Sequence, residues 1–177
     1  MRNFFFASIA LIISGFATNA YSKDLSSGQG SCLMAIAVAG KYGDSTKWSY
    51  CTARPISEGQ GLCMRAVAIA SKYGDKTKWA FCEDKSVSVG QGSCMMAIAN
   101  AGEYGEKTKW SYCTEKAITE GQGICMQAVA TAGKYGDKTK WSFCENKPIA
   151  PPKGSCLMAV AIAGESGDKT QWSFCLD

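Results

Sequence analysis

The sequence predicts an all-α fold: a short α-solenoid of five 31-residue helical hairpins, each stapled by its own disulfide. Three observations lead there. The ten cysteines, Cys32, Cys51, Cys63, Cys82, Cys94, Cys113, Cys125, Cys144, Cys156 and Cys175, alternate without exception between one long and one short spacing. The five tryptophans, Trp48, Trp79, Trp110, Trp141 and Trp172, recur at one constant interval, the length of the repeat. Within each unit, the positions that vary between copies recur at helical spacing.

The N-terminal segment 1–20, MRNFFFASIALIISGFATNA, reads as a secretory signal. Arg2 is the charged start, Phe4 to Ala17 the apolar run, and Thr18 and Ala20 suit the −3 and −1 positions. Ser8, Ser14 and Gly15 interrupt the run, which is shorter than the roughly 18 residues of a spanning helix. Cleavage after Ala20 leaves a single repeat array, 21–177, with no transmembrane segment and with units at about 29–51, 60–82, 91–113, 122–144 and 153–175. The expected location is secreted or periplasmic. Without Arg2 the 19 Lys+Arg fall to 18 against 15 Asp+Glu, a mild +3 spread evenly along the chain. That spread lacks the basic patch of a nucleic-acid binder, so no nucleic-acid partner is expected.

The first helix of each unit follows from comparing the copies, counting from the first Cys as zero. Position two is Met34, Arg65, Met96, Gln127 and Met158; position six is Val38, Ile69, Asn100, Thr131 and Ile162; position nine is Lys41, Lys72, Glu103, Lys134 and Glu165. These exchangeable positions share one helical face. Ala at three, five and seven, Ile or Val at four and Gly or Ser at eight form the inward face, and their small size predicts close approach of a neighbouring helix. Gly43 and its equivalents fit the left-handed residue that ends this helix. Asp44, Asp75, Glu106, Asp137 and Asp168 then fit the N-cap of a second, shorter helix through the Trp and the second Cys. The alternative is an α/β repeat with a short strand at each TKWSFC, where apolar and polar residues alternate. It places Cys on the same face as Lys and Ser, so the helix is preferred. The linkers TARPISEGQG, EDKSVSVGQG, TEKAITEGQG and ENKPIAPPKG read as turns between units. The irregular last linker, with Ser166 and Gln171 where other units have Tyr and Lys, marks unit five as a terminal cap.

An even cysteine count at strict spacing in an exported chain implies disulfides. Pairing across linkers strands Cys32 and Cys175. Pairing within units strands none, so the expected bonds are 32–51, 63–82, 94–113, 125–144 and 156–175. A single hairpin rich in alanine buries too little surface to fold alone. Each bond contributes roughly 3 kcal/mol in the chain-entropy model, and stacking on neighbours supplies the rest. The Trp is the expected large filler, inside the hairpin or between units.

Chemistry is sparse. The sequence has no His, so no His base and no Ser-His or Cys-His pair can form. The GQG segments have neither the preceding strand nor the following Lys-Ser/Thr of a phosphate loop. No enzyme activity is expected. Met34, Met64, Met95, Met96, Met126 and Met158 lie one or two residues after a first Cys, a soft set of the kind that selects Cu(I). Position two also holds Arg65 and Gln127, however, so no cofactor is expected. The close Cys pair of a zinc site is absent as well. The aromatic residues remain as possible binding groups: the five Trp, with Tyr42, Tyr73, Tyr104 and Tyr135 six residues before them. The expected function is a secreted or periplasmic, non-catalytic repeat protein, acting as a protein-interaction or envelope-associated binding module for a protein or glycan partner. The alternatives are multivalent glycan or cell-wall binding through the Trp and Tyr, a secreted effector or toxin-like protein, and, least favoured, Cu(I) binding.

Overall fold

The computed structural model describes residues 24–40, 47–72, 77–102, 108–164 and 171–176. The expected signal, residues 1–20, lies outside them. Five long helices, α1 (Ser27–Gly40), α3 (Glu58–Ser71), α5 (Val89–Gly102), α7 (Glu120–Gly133) and α9 (Pro151–Ala163), carry the array. Between them sit the single-turn helices α2 (Ser49–Thr52), α4 (Ala80–Glu83), α6 (Ser111–Thr114) and α8 (Ser142–Glu145), and a 3-10 turn over Trp172–Cys175 closes the last unit. The alternative strand at TKWSFC does not form: Trp48, Trp79, Trp110 and Trp141 have helical dihedrals and lead into the short helix. A single turn brings Cys51, Cys82, Cys113 and Cys144 inward, fully buried, where a strand would have turned them outward with Lys and Ser.

Each long helix packs on the next long helix, and only lightly on its own short one. The disulfide supplies that second connection. Five bonds join Cys32–Cys51, Cys63–Cys82, Cys94–Cys113, Cys125–Cys144 and Cys156–Cys175. An interior helix therefore has neighbours on two sides. In α5 this buries Met95, Met96, Ala97, Ile98, Ala99 and Ala101, which is why its sequence is apolar nearly all round. Met64, Met95 and Met126, one per interior helix, are fully buried beside the first Cys, where a flexible side chain fills the irregular space next to a disulfide.

Close approach rests on glycines other than those expected. Gly40, Gly102 and Gly133, at position eight, have open space around them, because no neighbouring backbone reaches that end of the helix. The glycines that matter belong to GQG, which is the first turn of the long helix rather than part of a linker turn. A side chain at Gly28, Gly59, Gly90 or Gly121 would strike the carbonyls that open the next unit's helix, such as those of Ile118 and Thr119 at Gly90. One at Gly92 would lie 2.6 Å from the Gly59 carbonyl oxygen and 2.8 Å from Leu62 Cβ. The long helices thus run parallel, near register, with their N-terminal backbones in contact.

The glutamine between the glycines has two tasks. It closes a capping box with Ser57 on α3 and Thr119 on α7. Ser26 with Gln29 and Ser88 with Gln91 make the same reciprocal bonds. Its Nε2 then donates to the carbonyls that end the short helix of its own unit: Arg54 for Gln29 (2.9 Å), Thr114 and Lys116 for Gln91 (3.2 and 3.0 Å), Glu145 and Lys147 for Gln122 (3.0 and 3.2 Å). In unit five Lys153 takes over, donating to the Leu176 carbonyl at 2.7 Å.

Asp137, the one described of the five acids, does not cap its short helix. It accepts from the Thr139 backbone N–H two residues on (2.7 Å) and from the Trp172 indole (3.2 Å). The short helix begins only after Trp141, which precedes it without any side-chain cap bond. Gly136 does have the expected left-handed conformation, φ +88°. The N–H of Asp137 bonds the Ala132 carbonyl and that of Gly136 the Gly133 carbonyl, a Schellman ending to α7. The equivalents Gly43, Gly74, Gly105, Asp44, Asp75, Glu106 and Asp168 lie outside the described residues.

Candidate functional site: the joints between units

Four of the five tryptophans singled out from the sequence lie at the joints. Trp79 packs on Tyr50 of the unit before it (ring centroids 5.6 Å apart), Trp141 on Tyr112 (5.5 Å) and Trp172 on Phe143 (6.1 Å). Trp110 donates its indole N–H to Thr77 of the preceding unit at 3.1 Å. These four are half-buried fillers between units. Trp48, with no described unit before it, is 59% exposed. Tyr135 is exposed beside Lys134, and Tyr42, Tyr73 and Tyr104 lie outside the described residues.

Alternate joints carry a polar clamp that the sequence reading missed. Tyr50 donates its hydroxyl to Glu83 of unit two (2.5 Å). Arg54 pairs with the same carboxylate while its guanidinium lies over the Tyr50 ring, 4.3 Å from the centroid. At the joint of units three and four, Tyr112 donates to Glu145 (2.5 Å), and Lys116 both pairs with Glu145 and lies 4.0 Å over the Tyr112 ring. Units two and four carry Phe81 and Phe143 in place of the tyrosine, with Lys85 and Lys147 over the rings. The available signal was the alternation WSYCT against FCE, which recurs in every second unit, as Tyr50 and Tyr112 do.

The clamp shifts its own titrations. Burial first, then the hydrogen bond to Glu83 and its charge, push the Tyr50 hydroxyl up to about 12. Burial and Glu145 push Tyr112 up as well. The bonds from Lys116 and Tyr112 hold Glu145 below the usual carboxylate range. For Asp137, burial raises the carboxyl, but the bonds from Thr139 and Trp172 outweigh it and lower it.

A tyrosine whose folded value lies above its unfolded one contributes stability fully below about pH 10 and loses it as pH rises toward the folded value. The urea midpoint is therefore expected to fall steeply between about pH 10 and 12. In a Tyr50→Phe/Tyr112→Phe variant that fall should be shallower, and equal slopes would show that the clamp adds nothing. On the acid side, the Glu145 contribution is present above the ordinary Glu range and is lost as pH falls through its depressed value.

Beside each clamp lies a groove. Between units three and four it encloses about 540 Å³, with a floor of Ala101, Val129, Ala130 and Gly133, walls of Tyr112 and Trp141, and a rim of Thr108, Asp137, Lys138, Thr139 and Lys140. Between units one and two a groove of about 300 Å³ is lined by Ala39, Val67, Ala68, Ser71, Tyr50, Trp79, Thr77 and Lys78. Each of these eight has its counterpart two units on, in the first groove. One face of the Tyr112 ring carries Lys116 and the ring lies tilted against Trp141, so the Trp wall, Gly133 and the lysine rim are the surfaces most open to a ligand. No protein-family model, curated protein or solved structure matches the chain.

The described residues contain no cluster of three or more His, Cys, Asp or Glu suited to a metal ion. All ten cysteines lie in the five disulfides. Among the described residues no helix is long and apolar enough to cross a membrane. Five disulfides are consistent with an oxidising, extracytoplasmic setting.

Proposed function

We propose that the protein is a secreted or periplasmic, non-catalytic binding module, and that its ligand site is the groove of the clamped joints. The observation that carries this reading is the recurrence of the same lining at two joints, two units apart, on an otherwise alternating array. A small apolar floor, one Trp wall and lysines on the rim suit an apolar segment of a protein partner flanked by acidic residues. The unequal setting of the five Trp favours this over a multivalent glycan platform. Four are committed to joints and only Trp48 is largely exposed, so the chain does not offer five equal stacking faces. The absence of His and the structural use of Asp137, Glu83 and Glu145 support a non-catalytic role.

The test reverses the rim charge without touching the joint. Lys78, Lys138 and Lys140 are exposed, and the triple change to Glu should leave the fold intact by circular dichroism. Wild-type and variant protein are immobilised and exposed to the extracytoplasmic fraction of the source cells, and to an oligosaccharide array. Polypeptides retained by the wild type and depleted at least about tenfold on the variant, with a blank array, are the expected result; about 1.4 kcal/mol of lost contact suffices for that factor. Identical retention on both proteins, or binding to glycans alone, would overturn the reading.

A further inference from the structure

Among the described residues, the large apolar side chains left exposed gather at the two ends of the array, with Tyr135 in unit four the one exception. Leu25, Met34 and Trp48 are 43%, 49% and 59% exposed and lie in unit one; Ile162 and Phe174, 53% and 77% exposed, lie in unit five. Elsewhere in the array the same positions are covered. The equivalents of Leu25 are Ile56, Val87, Ile118 and Ile149, all buried. Trp48 is a joint tryptophan with no described ring to pack on, and Phe174 holds the position of Tyr50, Tyr112 and Phe143, each of which carries the next unit's Trp. Ile162 holds the position of Thr131, whose hydroxyl reaches Met158 of the next unit at 3.9 Å; Met158 in turn is the counterpart of Met34. The two ends therefore present opposite halves of one joint.

We infer that a second copy of this chain docks on it head to tail, unit one of one copy on unit five of the other, through the joint that holds the units together within the chain. Trp48 packs on Phe174 and Met34 on Ile162. The receiving helices suit this. α1, SGQGSCLMAIAVAG, has no charged residue, and Gly30 has open space where an incoming backbone would lie, as the Gly28 carbonyl lies on Gly61. The contact is heterologous and does not close on itself, so association continues past the dimer.

One residue opposes the contact and sets its strength. Pro152 stands where the internal joints have Gly28, Gly59, Gly90 and Gly121. Its ring falls against the Leu25–Ser26 backbone of the incoming copy, the counterpart of the Ile56 and Ser57 carbonyls that meet Gly28. That segment precedes α1 and must give way, so the joint between copies is looser than those within the chain and its formation is reversible.

Sedimentation velocity on the protein with its disulfides intact, from micromolar to near-millimolar, tests this. The expected result is a weight-average mass that climbs with concentration beyond two chains. Trp48→Ala and Phe174→Ala each abolish the climb, and because both side chains are exposed neither change should unfold the protein. A mixture of the two variants regains association but stops at the dimer, since each retains one intact end. Pro152→Gly associates at lower concentration than the wild type. The proposal is overturned if the protein stays monomeric throughout, if Phe174→Ala associates like the wild type, if the mixed variants stay apart, or if Pro152→Gly gains nothing.

Discussion

Removal of the central disulfide, by Cys94→Ala with Cys113→Ala, is expected to cost about 3 kcal/mol and to carry most of the array with it. The two cysteines stand 19 apart in sequence, and both sulfurs are fully buried. Without the bond α6 retains few contacts to its own long helix, because α5 packs mainly on α3 and α7. The Gln91 bonds to the Thr114 and Lys116 carbonyls then tie α6 to its own long helix, while Tyr112 and Lys116 still hold it to unit four. Interior units are coupled to two neighbours, so losing one divides the array. The same change at Cys156 and Cys175 is expected to loosen unit five and leave the others folded. Urea unfolding followed by circular dichroism distinguishes the cases: one early, large transition for the central pair, a small early step for the terminal pair. Equal midpoints for the two would mean that the units unfold independently.

The second large effect is a difference in sign at a single motif position. Gly92→Ala is expected to destabilise by about 3 kcal/mol, the upper end of the cost of overpacking, because the new methyl meets backbone and a Cβ rather than a flexible tip. Gly30 is the same residue of the same GQG in unit one, but with nothing within 4 Å. Gly30→Ala is expected to stabilise by about 0.5–1 kcal/mol through helix propensity alone. Thermal melts of the two variants in dilute solution check both at once. A stabilised Gly92→Ala would show that the parallel helices are not in backbone contact.

The helical hairpins and the staple were readable because they follow from local repetition: exchangeable positions at helical spacing, and cysteines that bound each unit. The joints were not, because they join side chains about one repeat apart. Tyr50 meets Glu83, and Arg54 meets the same carboxylate, across 33 and 29 residues. Nothing in a single unit shows that its Tyr and its neighbour's Glu belong together, although the alternation between units hinted at it. GQG misled in another way. Two glycines so close together have turn propensity, but contact with a neighbouring backbone overrides it and the chain stays helical. The cue that would have corrected this was Ser or Thr three residues before each Gln, at Ser26, Ser57, Ser88 and Thr119. The buried Ile56, Val87, Ile118 and Ile149 likewise recur seven residues before a first Cys, inside segments read only as linkers. Of the candidate binding residues, the tryptophans proved to be mostly mortar between units. The groove beside them became visible only once two units were set side by side.

The alternation of clamped joints also bears on how such a gene can change length. Excision of unit two would bring Tyr50 and Arg54 to face Thr114, which has no carboxylate to offer. Excision of units two and three together would bring them to face Glu145, and the clamp would reform. Recombination between repeats is therefore tolerated in steps of two units and penalised in steps of one, and a lineage of such chains should vary by pairs.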